Sequence, residues 1–130
     1  MTLENLKNWL KTRIAVGDGI QLGGIDGNKE RFIGVYPAKQ AAPRRICLGG
    51  ATGTRTDELH AALLVHWTKS QAEAEAKARA LAGLFYGLGR TDMDGATVYA
   101  ADATAPIWAG KDSRGVCEYV INLKIICEKE

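Results

Sequence analysis

A chain of 130 residues with 46% apolar and 25% charged side chains has the size and composition of one globular domain, and it is too apolar for a disordered segment. Its formal net charge of +2 is too small to mark a nucleic-acid or membrane-surface binder. Glu4, Lys7, Lys11 and Arg13 interrupt the amino-terminal stretch, unlike a secretory leader, and no apolar run approaches the ~20 residues of a membrane span. The three cysteines, Cys47, Cys117 and Cys127, are odd in number and widely spaced. They predict reduced thiols in a cytosol, with no disulfide framework and no CxxC metal pair.

Thr2 is placed to cap a first helix in which Leu3, Leu6, Leu10 and Ile14 share one face, widened by Trp9. Gly17-Asp18-Gly19 ends it. The runs Ile20–Ile25 and Glu30–Tyr36 flank the turn-forming Asp26-Gly27-Asn28, a pattern that predicts a β-hairpin closed by Pro37. Ala38–Pro43 reads as loop, Arg44–Leu48 as a short strand and Gly49–Gly53 as a glycine-rich loop. In Glu58–Trp67, Leu59, Ala61, Leu63, Val65 and Trp67 alternate with Glu58, His60, Ala62, Leu64 and His66. A period of two writes a strand with one apolar face.

Ser70-Gln71-Ala72-Glu73 has the form of a capping box. Behind it an alanine-rich helix carries Ala74, Ala78, Leu81, Phe85 and Leu88 on one face and ends near Gly87–Gly89. Ala96–Ala101 reads as a strand, Pro106–Ala109 as extended, and Asp112–Gly115 as a turn into a long last strand, Val116–Glu128. On that strand Cys117, Tyr119, Ile121, Leu123, Ile125 and Cys127 share a face. At ~3.3 Å per residue its two cysteines lie about 33 Å apart and cannot bond to each other. The predicted architecture is α/β of the α+β kind: one domain over residues 1–130, a mostly antiparallel twisted sheet with two helices packed on one face.

The residues offer little to a chemical mechanism. Gly49-Gly50-Ala51-Thr52-Gly53 follows a predicted strand but has neither GxGxxG spacing nor a following GK[ST]. The segment after it reads as a strand, so no helix amino terminus is there to hold a phosphate. His60 and His66, six residues apart on one strand face, lie about 20 Å from each other, too far for one zinc ion. They read as exposed, or as covering another subunit. Asp92, Asp94 and Asp102 do not have the spacing of an EF-hand loop and read as solvated loop charges. No nucleophile–base constellation is legible. No catalytic residue, no metal and no cofactor is therefore predicted.

Three segments in order carry a resemblance: Lys29–Tyr36 followed by Arg45–Gly50, then Leu63–Ser70 with its Glu/Ala helix, then Pro106 through Tyr119. Over roughly residues 3–128 this order resembles the small minor capsid, tail-terminator-like proteins of long-tailed bacteriophages. The resemblance implies a non-enzymatic virion protein at the head–tail joint, made in the host cytoplasm. It implies a subunit that joins copies of itself in a ring, a hexamer, on the tail tube protein and presents a surface to the head–tail connector protein, with no membrane. DNA passing through such a ring would need only weak phosphate contact. Ring contacts need two different patches on each copy, and charged loops are the natural suppliers. Lys39, Arg44 and Arg45, Arg55, and Lys111 with Arg114 are the candidates. Two further classes remain compatible with the residues: a small enzyme or ligand-binding domain whose site is hidden, and a monomeric adaptor working by strand addition.

Overall fold

The computed structural model describes residues 1–38 and 56–129. The predicted strand Arg44–Leu48, the glycine-rich loop, Cys47 and four of the candidate residues (Lys39, Arg44, Arg45, Arg55) lie outside them. Helix α1 spans Leu3–Arg13, and Thr2 caps it as predicted, its Oγ1 accepting from the N–H of Asn5. The Asn5 side chain returns the bond to the Thr2 N–H. Leu6, Trp9 and Leu10 are its buried residues. The helix stops at Arg13 because Ile14 is already extended.

Among the described residues seven strands form one sheet: β1 Gly19–Leu22, β2 Phe32–Pro37, β3 Thr56–His66, β4 Thr91–Met93, β5 Ala96–Ala103, β6 Ile107–Lys111 and β7 Cys117–Glu128. Their order is β1-β2-β3-β7-β5-β4, and β6 pairs with the amino-terminal half of β7 beside β5. Every pairing is antiparallel except β1 with β2. That exception corrects the predicted hairpin. The turn at Asp26–Asn28 does form, with the Asn28 N–H donating to Asp26 Oδ1 at 3.0 Å and the Lys29 N–H to the Asp26 carbonyl at 3.1 Å. A turn reverses the chain but does not decide which strands pair. Gly23, at φ 69°, swings the chain out of β1, and the connection returns past Gly34, so that β2 starts level with Gly19. A Cβ on Gly34 would meet Ile25 Cγ2 at 2.9 Å and the Gly24 carbonyl at 3.1 Å, so only glycine admits this close crossing.

The period-two strands are as predicted. Val35, Leu63 and Ile121 lie in one row across β2, β3 and β7, and Ile33, Val65 and Tyr119 in the next. All six are buried. Against this face pack α1 and helix α2, Gln71–Gly83, in a single apolar cluster that joins Leu6 and Leu10 to Ala74, Ala78 and Leu81. Small alanines let α2 lie close to the sheet, and Trp9 meets Phe85 with ring centroids 5.6 Å apart. Each fully buried leucine or isoleucine here contributes about 1.5–3 kcal/mol.

Three local expectations need correction. The helix α2 ends at Gly83 rather than near Gly87–Gly89, and turns carry the chain through Gly87, where φ is 67°. Only half of the capping box forms: Ser70 Oγ accepts from the Glu73 N–H, while the Glu73 carboxylate accepts from Thr68 Oγ1 at 3.1 Å. Thr68 Oγ1 in turn accepts from the Ser70 N–H, satisfying the donor the glutamate would have taken. Asp92, Asp94 and Asp102 are not loop charges of one cluster. Asp92 is in β4, Asp102 is in β5 opposite Lys124, and Asp94 heads a tight β4–β5 turn with Gly95, both at positive φ. That Asp-Gly hairpin went unread in the sequence.

Candidate functional site

Of the candidate residues, Lys111 and Arg114 are among the described residues, and Lys39, Arg44, Arg45 and Arg55 lie outside them. Beyond Pro37 the chain leaves β2 and re-enters the sheet at Thr56, whose partner is Glu128 at the far end of β7. Lys39, Arg44, Arg45 and Arg55 belong to that interval. Lys111 and Arg114 stand at the opposite end, where β6 turns into β7.

This second end is built around a buried histidine. His66, which the alternation reads as exposed or as covering another subunit, is buried within its own chain, its side chain 1% accessible. It ends β3 on the face away from the helices, between Phe32 and Glu118. Its Nδ1 lies 3.1 Å from Glu118 Oε2 and its Nε2 3.6 Å from Asp112 Oδ2. Glu118 supplies Nδ1 with the hydrogen bond that water would have supplied, while Nε2 has no hydrogen-bond partner among the described residues and only faces the Asp112 carboxylate.

Asp112 also organises the turn, its Oδ1 accepting from the N–H groups of Arg114 at 2.8 Å and Val116 at 2.9 Å. Desolvation pushes the Asp112 pKa up, but those two N–H donors, together with the neighbouring His66 and Arg114, outweigh it and hold the carboxyl below its ordinary value. Gly115, at φ 83°, completes the reversal. Arg114 reaches across from this turn, its Nη1 donating to the Gly27 carbonyl at 2.9 Å. Part of its donor capacity is thus spent within the chain. Lys111 is exposed.

A histidine between two carboxylates resembles an acid–base constellation, but the geometry gives it no substrate. Its Nε2 is shut away from solvent, and a general base must reach the proton it takes. Among the described residues no group of histidine, cysteine or carboxylate side chains is arranged to hold a metal ion. Two hollows of about 350 Å³ exist. One is lined by Met1, Asn5, Asp94 and Glu128 among others, the second by Trp9, Arg13, Leu84, Leu88 and Thr91. In the first, Asp94 is engaged by Asn8 Nδ2 at 2.8 Å and Asn5 Nδ2 at 3.3 Å. Those two amides draw its pKa down, and they tie α1 to the β4–β5 turn. Among the described residues no helix is long and apolar enough to cross a membrane.

What the sequence reading missed is the character of the sheet edges. Leu22 on β1 and Ile107 and Trp108 on β6 are 37%, 48% and 44% exposed. Exposure of apolar residues on an edge cannot be read before the strand order is known.

The family described as bacteriophage tail terminator protein matches residues 16–129. No curated protein and no solved structure matches the chain. The match takes in every strand of the sheet, α2 and the buried-histidine turn. On that ground the chain belongs to the bacteriophage tail terminator family.

Proposed function

We propose that this phage tail structural protein assembles with copies of itself into a ring, a hexamer, that caps the tail tube and presents its other face to the head–tail connector. The observation that carries the reading is the family match over nearly the whole chain. The placement of Lys111 and Arg114 together, where β6 turns into β7, supports a contact surface at that end of the sheet. The net charge of +2 suits a ring through which DNA passes with weak phosphate contact. The segment holding Arg44 and Arg45 is proposed as a contact surface.

The test is electron microscopy of the purified protein mixed with tail tubes, with its mass in solution measured in parallel. Rings at tube ends and arrest of tube growth are expected, and a monomer that leaves tubes lengthening would overturn the reading. Arg44→Glu with Arg45→Glu is expected to keep the melting temperature within a few degrees while ring formation or capping is impaired. Wild-type assembly by this double variant would remove the two arginines from the interface.

A further inference from the structure

We infer that neighbouring copies join edge to edge, the β6 strand of one adding to the β1 strand of the next as an antiparallel pair. The inference rests on the ring reading and deepens it by naming the subunit contact. Within the sheet, β1 runs parallel to β2, β2 runs against β3, β3 against β7, and β7 against β6. The strands at the two sides of this five-strand stretch therefore run in opposite directions. Copies related by rotation about one axis share one orientation. Setting the β6 side of one beside the β1 side of the next then continues the sheet in antiparallel fashion. The contact is between two different surfaces, as ring closure requires.

The rows of the sheet also match across the junction. One row runs Ile20, Ile33, Val65, Tyr119, Trp108, and the next runs Gln21, Gly34, Leu64, Val120, Ile107. Both edges thus lie over the same half of β7, and β4 with β5 flanks the other half and leaves β6 uncovered. Neither β1 nor β6 has a second strand partner among the described residues. In an antiparallel pair only alternate residues turn their backbone groups toward the partner, so about half of those on β6 face outward.

Edge strands of soluble proteins are ordinarily blunted by charges, prolines or covers. Here β1, Gly-Ile-Gln-Leu, has no charge, and β6, Ile-Trp-Ala-Gly-Lys, has only Lys111 at its end. The register shift between Trp108 and Gly110 bends the end of β6 and leaves Ile107 and Trp108 as its pairing part. Three of the five large apolar side chains exposed among the described residues, Leu22, Ile107 and Trp108, stand on these two edges. Trp108, seated edge-on against Tyr119 with centroids 5.2 Å apart, is held as a rigid anchor of the kind that dominates interfaces.

The test compares wild type, Ile107→Lys and Leu22→Lys by mass in solution and by microscopy on tail tube ends. Both side chains are exposed, so both variants are expected to fold with near-wild-type circular dichroism. Each is expected to raise the concentration for half-assembly by about tenfold or more. A second measurement places cysteines at Gln21 and Ile107 of one chain. Oxidation of Gln21→Cys/Ile107→Cys is expected to give a ladder of covalent oligomers on a non-reducing gel that neither single variant gives. Wild-type assembly by both lysine variants, or loss of assembly with Ile107→Lys alone, would overturn the β1–β6 pairing and leave the ring reading standing. A wild-type protein that forms no ring, free or on tube ends, would overturn both.

Discussion

Leu63 offers the sharpest test of the fold. It is fully buried on β3, between Val35 of β2 and Ile121 of β7, and faces the helices. Truncation to alanine removes its transfer energy and leaves a cavity in a layer pinned by two neighbouring strands, a loss of about 3 kcal/mol within the usual 2–5. For a chain of this length an unfolding entropy of about 2.1 cal/mol/K per residue makes each kcal/mol worth about 4 °C, so Leu63→Ala is expected to melt about 11 °C lower. Its neighbour Leu64 points to the opposite face, between Gly34 and Val120, and is only partly buried. Leu64→Ala is expected to cost about 1 kcal/mol and about 4 °C. Leu63→Asp leaves an unpaired charge in the core at several kcal/mol, comparable with the whole stability of a small domain, and is expected to abolish soluble expression. Melting is followed by circular dichroism at one fixed protein concentration, because assembly raises the apparent stability by mass action. Wild-type-like melting of Leu63→Asp, or a greater loss in Leu64→Ala than in Leu63→Ala, would refute the face assignment.

Two predictions concern titratable groups. Cys117 and Cys127 are buried on one extended strand, so a thiol reagent is expected to label them only after unfolding; a native mass two units low that maps to a Cys117–Cys127 bond would contradict the strand itself. Asp112 titrates below its unfolded value; its ionised form therefore favours the fold above the unfolded carboxyl pKa of about 4, and that contribution is lost as the pH falls through the folded value. Asp112→Asn is expected to melt lower than wild type at neutral pH, with the gap closing below about pH 4; a gap independent of pH would show that the carboxylate charge does nothing in the turn.

How much of this was legible in the sequence depends on which interactions are local. Ile14, Phe85 and Leu88 lie past the helix ends. Thr2 as a cap, Leu6 and Leu10 on the buried face of α1, Ala74, Ala78 and Leu81 on that of α2, and the alternation in β3 and β7 follow from spacings of two to four residues, and they stand as read. The β1–β2 pairing does not. Asp26-Gly27-Asn28 makes its turn as its chemistry dictates, while the choice of a parallel partner is set by Gly23 and by the close crossing at Gly34. His66 is the same lesson at the site. The alternation correctly puts it on the face away from the helices, but its burial comes from Glu118 and Asp112, some fifty residues away in the chain. Asp94-Gly95 is the exception: both residues take positive φ in a two-residue hairpin turn, a local signal of the Asp-Gly pair.

The same long-range contacts bear on ring size. If copies join through β6 and β1, the rotation between neighbours is set by the curl of the sheet between its two edges, about 60° for a six-membered ring. One contact spans that stretch directly: Arg114, in the turn after β6, donates to the Gly27 carbonyl in the connection after β1. At the same end His66 Nδ1 ties the end of β3 to Glu118 of β7 at 3.1 Å, with Asp112 of the turn 3.6 Å from its Nε2. Removing the guanidinium frees an exposed side chain and one carbonyl that water can satisfy, a loss of about 0.5–1.5 kcal/mol. Arg114→Ala is therefore expected to keep its fold, melting within a few degrees of wild type. Released from the strut, the angle between the edges should spread, and electron micrographs are expected to show rings of several sizes where wild type shows one. A single, unchanged ring size in Arg114→Ala would mean that the apolar edges alone, and not the bond across the sheet, fix the closure.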